Sequence, residues 1–307
     1  MYLANQPVNI TDNLDYFARQ VVEGFLVGLH KSPYHGFSVE FAEHRLYNHG
    51  DSIKNIDWKL YARSEKLFIK KFEEETNLKC YVLVDVSSSM RYPQLNNLNI
   101  GFNKFSFSIY SAACLAYLFQ KQRDAFGLSC FSDVMESFIA AKVSKVHYNR
   151  IMVELHKLLN SAKQKCIKQT NLSHVVTDLI GKIPQRSLIV IFSDMINSID
   201  DDDIFHSLSH LKYKKHEVIL FHVKHSDTEE FFNFPNKPHR FIDLESNNLV
   251  ELNPQLYKQQ YIDRYEGFQR ELKLKCNQYG IDYVSASIDL GFKQILTAYL
   301  QKRSRLL

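Results

Sequence analysis

Little in this chain of 307 residues points to an unusual environment. Its five cysteines (Cys80, Cys114, Cys130, Cys166 and Cys276) are odd in number and widely spaced, without a C-x-x-C pair. That argues against a disulfide framework or a zinc module and for reduced thiols. Ten glycines and seven prolines fit an ordinary packed protein, not a collagen-like or disordered one. No apolar run approaches the roughly 18 residues that span a bilayer; the best stretches, 187–193 and 111–119, are short. The N-terminus has no basic region followed by an apolar one, so no secretion signal is evident. A cytoplasmic protein with no membrane span is the expectation. Charge of one sign is also scarce: 38 Lys and Arg against 34 Asp and Glu leave only +4. Phosphate recognition usually needs a concentrated basic face, so no nucleic acid is expected as the main partner. Walker, G-x-G-x-x-G and G-x-S-x-G motifs are missing, so the chain should not hydrolyse ATP itself.

What is present is a change of pattern along the chain. Residues 12–29 read as a helix with Leu14, Phe17, Val21 and Phe25 on one stripe, capped by Asp12 or Thr11. Short extended segments follow at 36–45 and 67–72. From Cys80 onward, apolar strands alternate with helices. Strands are expected at 81–84, 126–131, 134–140, 188–192, 217–223 and 282–286, and helices at 103–122, 148–159, 172–183, 200–211, 255–278 and 290–303. Such alternation predicts an α/β fold: a doubly wound, mostly parallel sheet covered on both faces, with the 126–140 hairpin supplying one antiparallel edge strand. Two regions follow, an N-terminal helix-and-strand extension (1–78) and the α/β domain (79–307). Ligands on such sheets bind beyond the carboxyl ends of the strands, where the winding reverses.

Two of the apolar strands end in aspartate. The first runs into Asp85-Val86-Ser87-Ser88-Ser89, a D-x-S-x-S turn, and the second into Ser193-Asp194. Between them, Thr170 stands where a helix begins. Asp85, Ser87, Ser89, Thr170 and Asp194 together offer two carboxylates and three hydroxyls, all hard oxygen donors suited to Mg²⁺ or Mn²⁺. The plainer reading makes the two aspartates caps and the serines turn residues.

At these positions the sequence resembles a von Willebrand factor type A domain with its metal-ion-dependent adhesion site. The resemblance assigns Asp85, Ser87 and Ser89 to the first segment of that site, Thr170 to the second and Asp194 to the third, with Ser173 and Thr177 as neighbouring candidates for the second. It leaves one position for a carboxylate from a partner. A second series is similar to the bacterial family numbered fifty-eight among domains of unknown function: Glu40-Phe41, Arg45-Leu46-Tyr47, Ile56-Asp57-Trp58-Lys59, Ala62-Arg63, then Phe234-Pro235, Asp243-Leu244-Glu245 and Gly280-Ile281-Asp282-Tyr283. This resemblance implies a MoxR-type AAA+ ATPase as partner, and hence a non-catalytic, metal-dependent adaptor that presents Asp/Glu-bearing clients in chaperone-like assembly.

Asp57, Trp58 and Arg63 admit two readings: a contact surface for the ATPase, or a docking plug with Trp58 buried and Arg63 paired to Asp51 or Asp57. Packing is the simpler of the two. The run 200–203 reads as a helix cap, His206 and His210 as a surface pair, and the basic end at 302–305 as a complement to a helix C-terminus. Two other functions stay open: a metal-dependent hydrolase using Asp85 and Asp194, opposed by the lack of a His or Glu beside either motif, and RNA binding by a type A domain.

Overall fold

An apolar run such as 188–192 has no polar face to offer water, so it must be covered on both sides. The structure, a computed structural model, describes residues 13–30, 43–46, 58–64, 66–71, 78–94, 101–161, 170–196 and 202–306. The chain divides into two units, one of residues 26–77 and one of residues 1–25 with 78–307.

In the smaller unit, strands β1 (Glu43–Leu46) and β2 (Phe68–Lys71) pair antiparallel, with helix α2 (Trp58–Ser64) between them in sequence. Helix α1 (Leu14–His30) begins in the larger unit. Its cap is Asn13, whose side chain accepts from the Tyr16 N–H at 3.2 Å, one residue past the expected Asp12. The buried stripe is Leu14, Phe17, Ala18 and Val22. Phe17 meets Phe102, Tyr110 and Phe292 edge-on, with centroids 4.6–6.3 Å away. Burying such a ring contributes about 2 kcal/mol.

The larger unit contains a six-stranded sheet. Its strands are β3 (Lys79–Asp85), β4 (Ala125–Phe131), β5 (Met135–Lys142), β6 (Leu188–Ser193), β7 (Glu217–Lys224) and, after a separate hairpin of β8 (His239–Ile242) and β9 (Leu249–Leu252), β10 (Asp282–Ser287). The spatial order is β10-β7-β6-β3-β4-β5, with every pair parallel except β4 with β5. That is the expected doubly wound sheet with one antiparallel edge. The central strands β4 and β6 are buried along their whole length, which is why their sequences lack alternation. Helices α3 (Lys104–Lys121), α4 (Lys145–Ser161), α5 (Leu172–Ile180), α6 (Asp202–Tyr213), α7 (Pro254–Gln278) and α8 (Lys293–Leu306) complete the unit. Cys80, Cys114, Cys130 and Cys276 are buried and form no disulfide among the described residues, and Cys166 lies outside them.

The β8–β9 hairpin has no counterpart in the sequence-based expectation. Each strand is only four residues long, β8 alternating half-buried with exposed residues and β9 mostly exposed, so neither sequence is long enough to show the run or alternation that announces a strand. Winding reverses between β3 and β6, the first strand of the sheet and its neighbour on the other side. The crevice at their carboxyl ends is therefore the topological switch point.

Candidate functional site

Parallel register brings the two motifs to one level. Val84 pairs with Phe192, so Asp85 and Ser193 end their strands together. Asp85 is fully buried. Its Oδ1 accepts from the Ser87 backbone N–H at 2.9 Å, closing a turn of the kind aspartate favours. Its Oδ2 accepts from Ser193 Oγ at 2.7 Å and faces Thr170 Oγ1 at 3.5 Å, the outer limit for a hydrogen bond. The Ser87 and Ser89 hydroxyl oxygens lie 3.0 Å apart, and both side chains are buried. After β6 the chain turns sharply, with buried Met195 at φ 52°, a left-handed conformation that costs a non-glycine residue energy. The Met195 N–H donates to Ser193 Oγ at 3.1 Å, so one hydroxyl ties the strained turn to Asp85.

Asp194 is engaged from the opposite side. Lys104 Nζ donates to Asp194 Oδ2 at 2.8 Å and to Glu229 Oε1 at 2.7 Å, with its own side chain only 1% exposed. Lys104 is the first residue of α3, behind the Asn103 cap, where the helix dipole disfavours a cation. Glu229 sits on one turn of π-helix, Ser226–Glu230, and its Oε2 accepts from the His225 N–H at 2.7 Å. Burial opposes the charge on Lys104, and the attraction of Asp194 and Glu229 outweighs it, so its pKa stands above the ordinary lysine value. Asp85 has no such cation among the described residues. Burial first, and then the negative charge of Asp194, push its pKa up to about 7, against the hydrogen bonds from Ser87 and Ser193.

A further carboxylate enters from the β8–β9 turn. The Glu245 carboxylate lies beside Ser89, and among the described residues its Oε1 is buried with no hydrogen-bond partner. Burial raises the Glu245 pKa, while the Ser89 contact pulls it down. Lys104 thus pairs Asp194 and Glu229, whereas among the described residues Asp85 is left to hydroxyls and a backbone N–H.

Residues 43–271 match the family model described as "Protein of unknown function DUF58". The chain belongs to the DUF58 family. Curated relatives of this DUF58 protein include the uncharacterized proteins Rv1480 of Mycobacterium tuberculosis (strain H37Rv) and Mb1516 of Mycobacterium bovis, each 21% identical over 187 residues. The alignments cover 61% of this chain and 56% of the relatives, so the chain spans little more than half the length of the curated relatives it matches. Among solved structures, it is similar to the conserved hypothetical protein BatB from Bacteroides thetaiotaomicron, with 12% identity and a TM-score of 0.42 over 73% of this chain and 99% of that one. It is also similar to a mutant of the PilB minor pilin from Streptococcus sanguinis, with 10% identity and a TM-score of 0.38 over 78% of this chain and 65% of that one.

In this DUF58 chain, Asp85, Ser87, Ser89, Thr170 and Asp194 lie on the loops and strand ends at the switch point. Thr170 is the residue of its stretch that faces Asp85; Ser173 bonds Ser207 at 2.8 Å, and Thr177 bonds the Ser173 carbonyl at 3.0 Å. Trp58 is 57% exposed, its ring edge-on to Tyr61 at 6.1 Å, which corrects the expectation of a buried plug. Arg63 is exposed on the same helix, and Asp51 and Asp57 lie outside the described residues. Sequence reasoning missed Ser193 as a partner of Asp85 and missed Lys104, Glu229 and Glu245 as neighbours of the site. Ser193 precedes Asp194 directly and carried a signal, and Glu245 stands in the Asp243-Leu244-Glu245 series; Lys104 and Glu229 are ordinary charged residues far away in sequence.

The donor set fits a hard divalent cation. Adjacent ligands of an octahedral Mg²⁺ at about 2.1 Å stand about 3.0 Å apart, which is the separation of the Ser87 and Ser89 oxygens. The buried, unpaired Glu245 oxygen and the uncompensated Asp85 are what a missing positive charge would leave. Ser87, Ser89 and the Asp85 carboxylate would hold the ion, with Thr170 and Asp194 beside them. Among the described residues there is no metal-binding group of three or more His, Cys, Asp or Glu side chains, so hydroxyls would supply much of the shell. When bound, the ion supplies an electrophilic centre for an anionic ligand.

Proposed function

We propose that this chain is a non-catalytic, Mg²⁺-dependent protein-binding adaptor of the von Willebrand factor type A kind. Its site at the ends of β3 and β6 takes an Asp or Glu side chain from a partner. The observation that carries this reading is the deeply buried Asp85, joined to hydroxyls at a switch point and matched by no cationic side chain among the described residues. A hydroxyl-rich shell leaves the ion electrophilic, so an incoming carboxylate gains a strong charge-assisted contact. The ion supplies the positive charge locally, so a net charge of only +4 is no obstacle.

A MoxR-type AAA+ ATPase is the partner in this proposal, on the strength of the family resemblance in the Ile56–Arg63 series and the C-terminal motifs. Exposed Trp58 and Arg63 on α2, with Asp57 before them, form the second contact surface. The test is direct binding of the purified ATPase from the same organism to wild-type chain and to Asp85→Ala, each with Mg²⁺ and with chelator. Binding that needs both Mg²⁺ and Asp85 supports the adaptor; equal binding in all four conditions removes it.

A metal-dependent hydrolase is the second reading, and one observation favours it. Glu245 brings to the site the carboxylate base that neither motif carries beside it in sequence. Mn²⁺-dependent turnover of p-nitrophenyl phosphate or of a peptide library, lost in Asp194→Ala, would establish that reading in place of the adaptor.

A further inference from the structure

The β8–β9 turn is built to hold one acidic side chain against the site. Asp243 organises it: its N–H donates to the Asn248 carbonyl at 2.9 Å, and its carbonyl accepts from the Asn247 N–H at 2.9 Å. Its side chain accepts from the Glu245 N–H at 3.0 Å and also from the Ser246 hydroxyl. Asn247 takes the left-handed conformation, at φ 58°, that asparagine tolerates in tight turns. Asp243, Ser246, Asn247 and Asn248 are exposed, and Glu245 alone among the polar residues of this turn is partly withdrawn from solvent. Its carboxylate meets Ser89, whose hydroxyl is also 3.0 Å from Ser87 Oγ.

A glutamate in a short polar turn has every opportunity to point into water. Here one carboxylate oxygen is buried and makes no hydrogen bond among the described residues. Withdrawing such an oxygen without a partner costs free energy that an ion at the site would restore. Glu245 lies beside Ser89, the serine whose hydroxyl neighbours that of Ser87.

We propose that Glu245 is an internal carboxylate ligand that closes the cation site in the resting chain, so that a partner's Asp or Glu binds by displacing the β8–β9 turn. This rests on the metal-dependent reading given above. The chain then carries its own competitor. Capture of a partner is an exchange of one carboxylate for another, and its strength is set by how readily the turn swings away.

The full chain, loaded with Mn²⁺ as the probe, tests this through water-proton relaxation, which reports water molecules coordinated to the ion. Wild type and Glu245→Ala are compared with and without acetate, and thermal unfolding verifies that the variant is folded. In the wild type, acetate should leave the relaxation unchanged, because Glu245 holds the position. In Glu245→Ala, Mn²⁺ should bind about tenfold more weakly, the relaxation enhancement per bound ion should rise by one coordinated water, and acetate should reverse that rise. Equal Mn²⁺ affinity and acetate-insensitive relaxation in both proteins would overturn the role of Glu245 while leaving the cation site intact. No Mn²⁺ binding by the wild type would overturn the metal reading itself and this inference with it.

Discussion

Replacing Lys104 by methionine should be among the most damaging single changes in the chain. Lys104 Nζ lies 2.8 Å from Asp194 and 2.7 Å from Glu229, with the lysine side chain 1% exposed. At an effective dielectric of about 20, each contact represents about 6 kcal/mol of gross attraction, set against several kcal/mol of desolvation for each ion. Methionine keeps most of the volume but leaves two carboxylates facing each other without a counter-ion. The expected cost is about 3–5 kcal/mol, as for other buried pairs broken by removing one partner. For a unit of this size that corresponds to a fall of roughly 6–20 °C in the unfolding midpoint. Differential scanning calorimetry in chelator, with no divalent ion to compensate, gives the midpoint directly. The triple variant Lys104→Met, Asp194→Asn, Glu229→Gln should recover most of the loss, because the stranded charges are gone. A loss below about 1 kcal/mol in the single variant would refute the argument that the ammonium balances the crevice.

Two further outcomes follow from other parts of the larger unit. His222 is buried on β7, with Nδ1 2.8 Å from the Tyr283 hydroxyl, and burial lowers its pKa from the usual 6.5 to about 4. The folded ring stays neutral while the unfolded chain takes up a proton, so its contribution is whole above pH 6.5 and is lost as pH falls toward 4. The loss amounts to about 3 kcal/mol at most; urea unfolding at pH 7 and pH 4.5 should show a smaller acid penalty in His222→Gln, and an unchanged penalty would contradict the assignment. At Gly127 on β4, an added Cβ would lie 2.7 Å from the Ile139 carbonyl oxygen and 2.8 Å from the Tyr81 ring. Gly127→Ala should therefore cost about 1–3 kcal/mol in urea unfolding by overpacking, and a neutral result would mean that β4 and β5 separate easily.

The parts of the molecule that were legible in the sequence are those whose chemistry is local. The strands delivering Asp85 and Asp194 announce themselves because burial on both faces demands uninterrupted apolar residues, as in Leu188–Ser193. The hydroxyls of the D-x-S-x-S turn sit within four residues of Asp85, and Thr170 is marked by the helix that follows it. What was not legible depends on tertiary convergence. Lys104 meets Asp194 across 90 residues of chain and Glu229 across 125. A lysine at the start of a helix carries no local sign that it will be buried. Glu245 belongs to a hairpin whose four-residue strands are too short to be read as strands, so its position beside Ser89 appears only in three dimensions. Trp58 misled for a related reason: its size favours burial on average, but on α2 it is exposed.

The decisive property of the crevice is whether it binds a divalent cation through Asp85. Isothermal titration of the full chain with MgCl₂, for wild type and for Asp85→Ala verified as folded, asks that question without any partner. One saturable site is expected in the wild type and none in the variant. No binding by the wild type, or equal binding by both proteins, would contradict it.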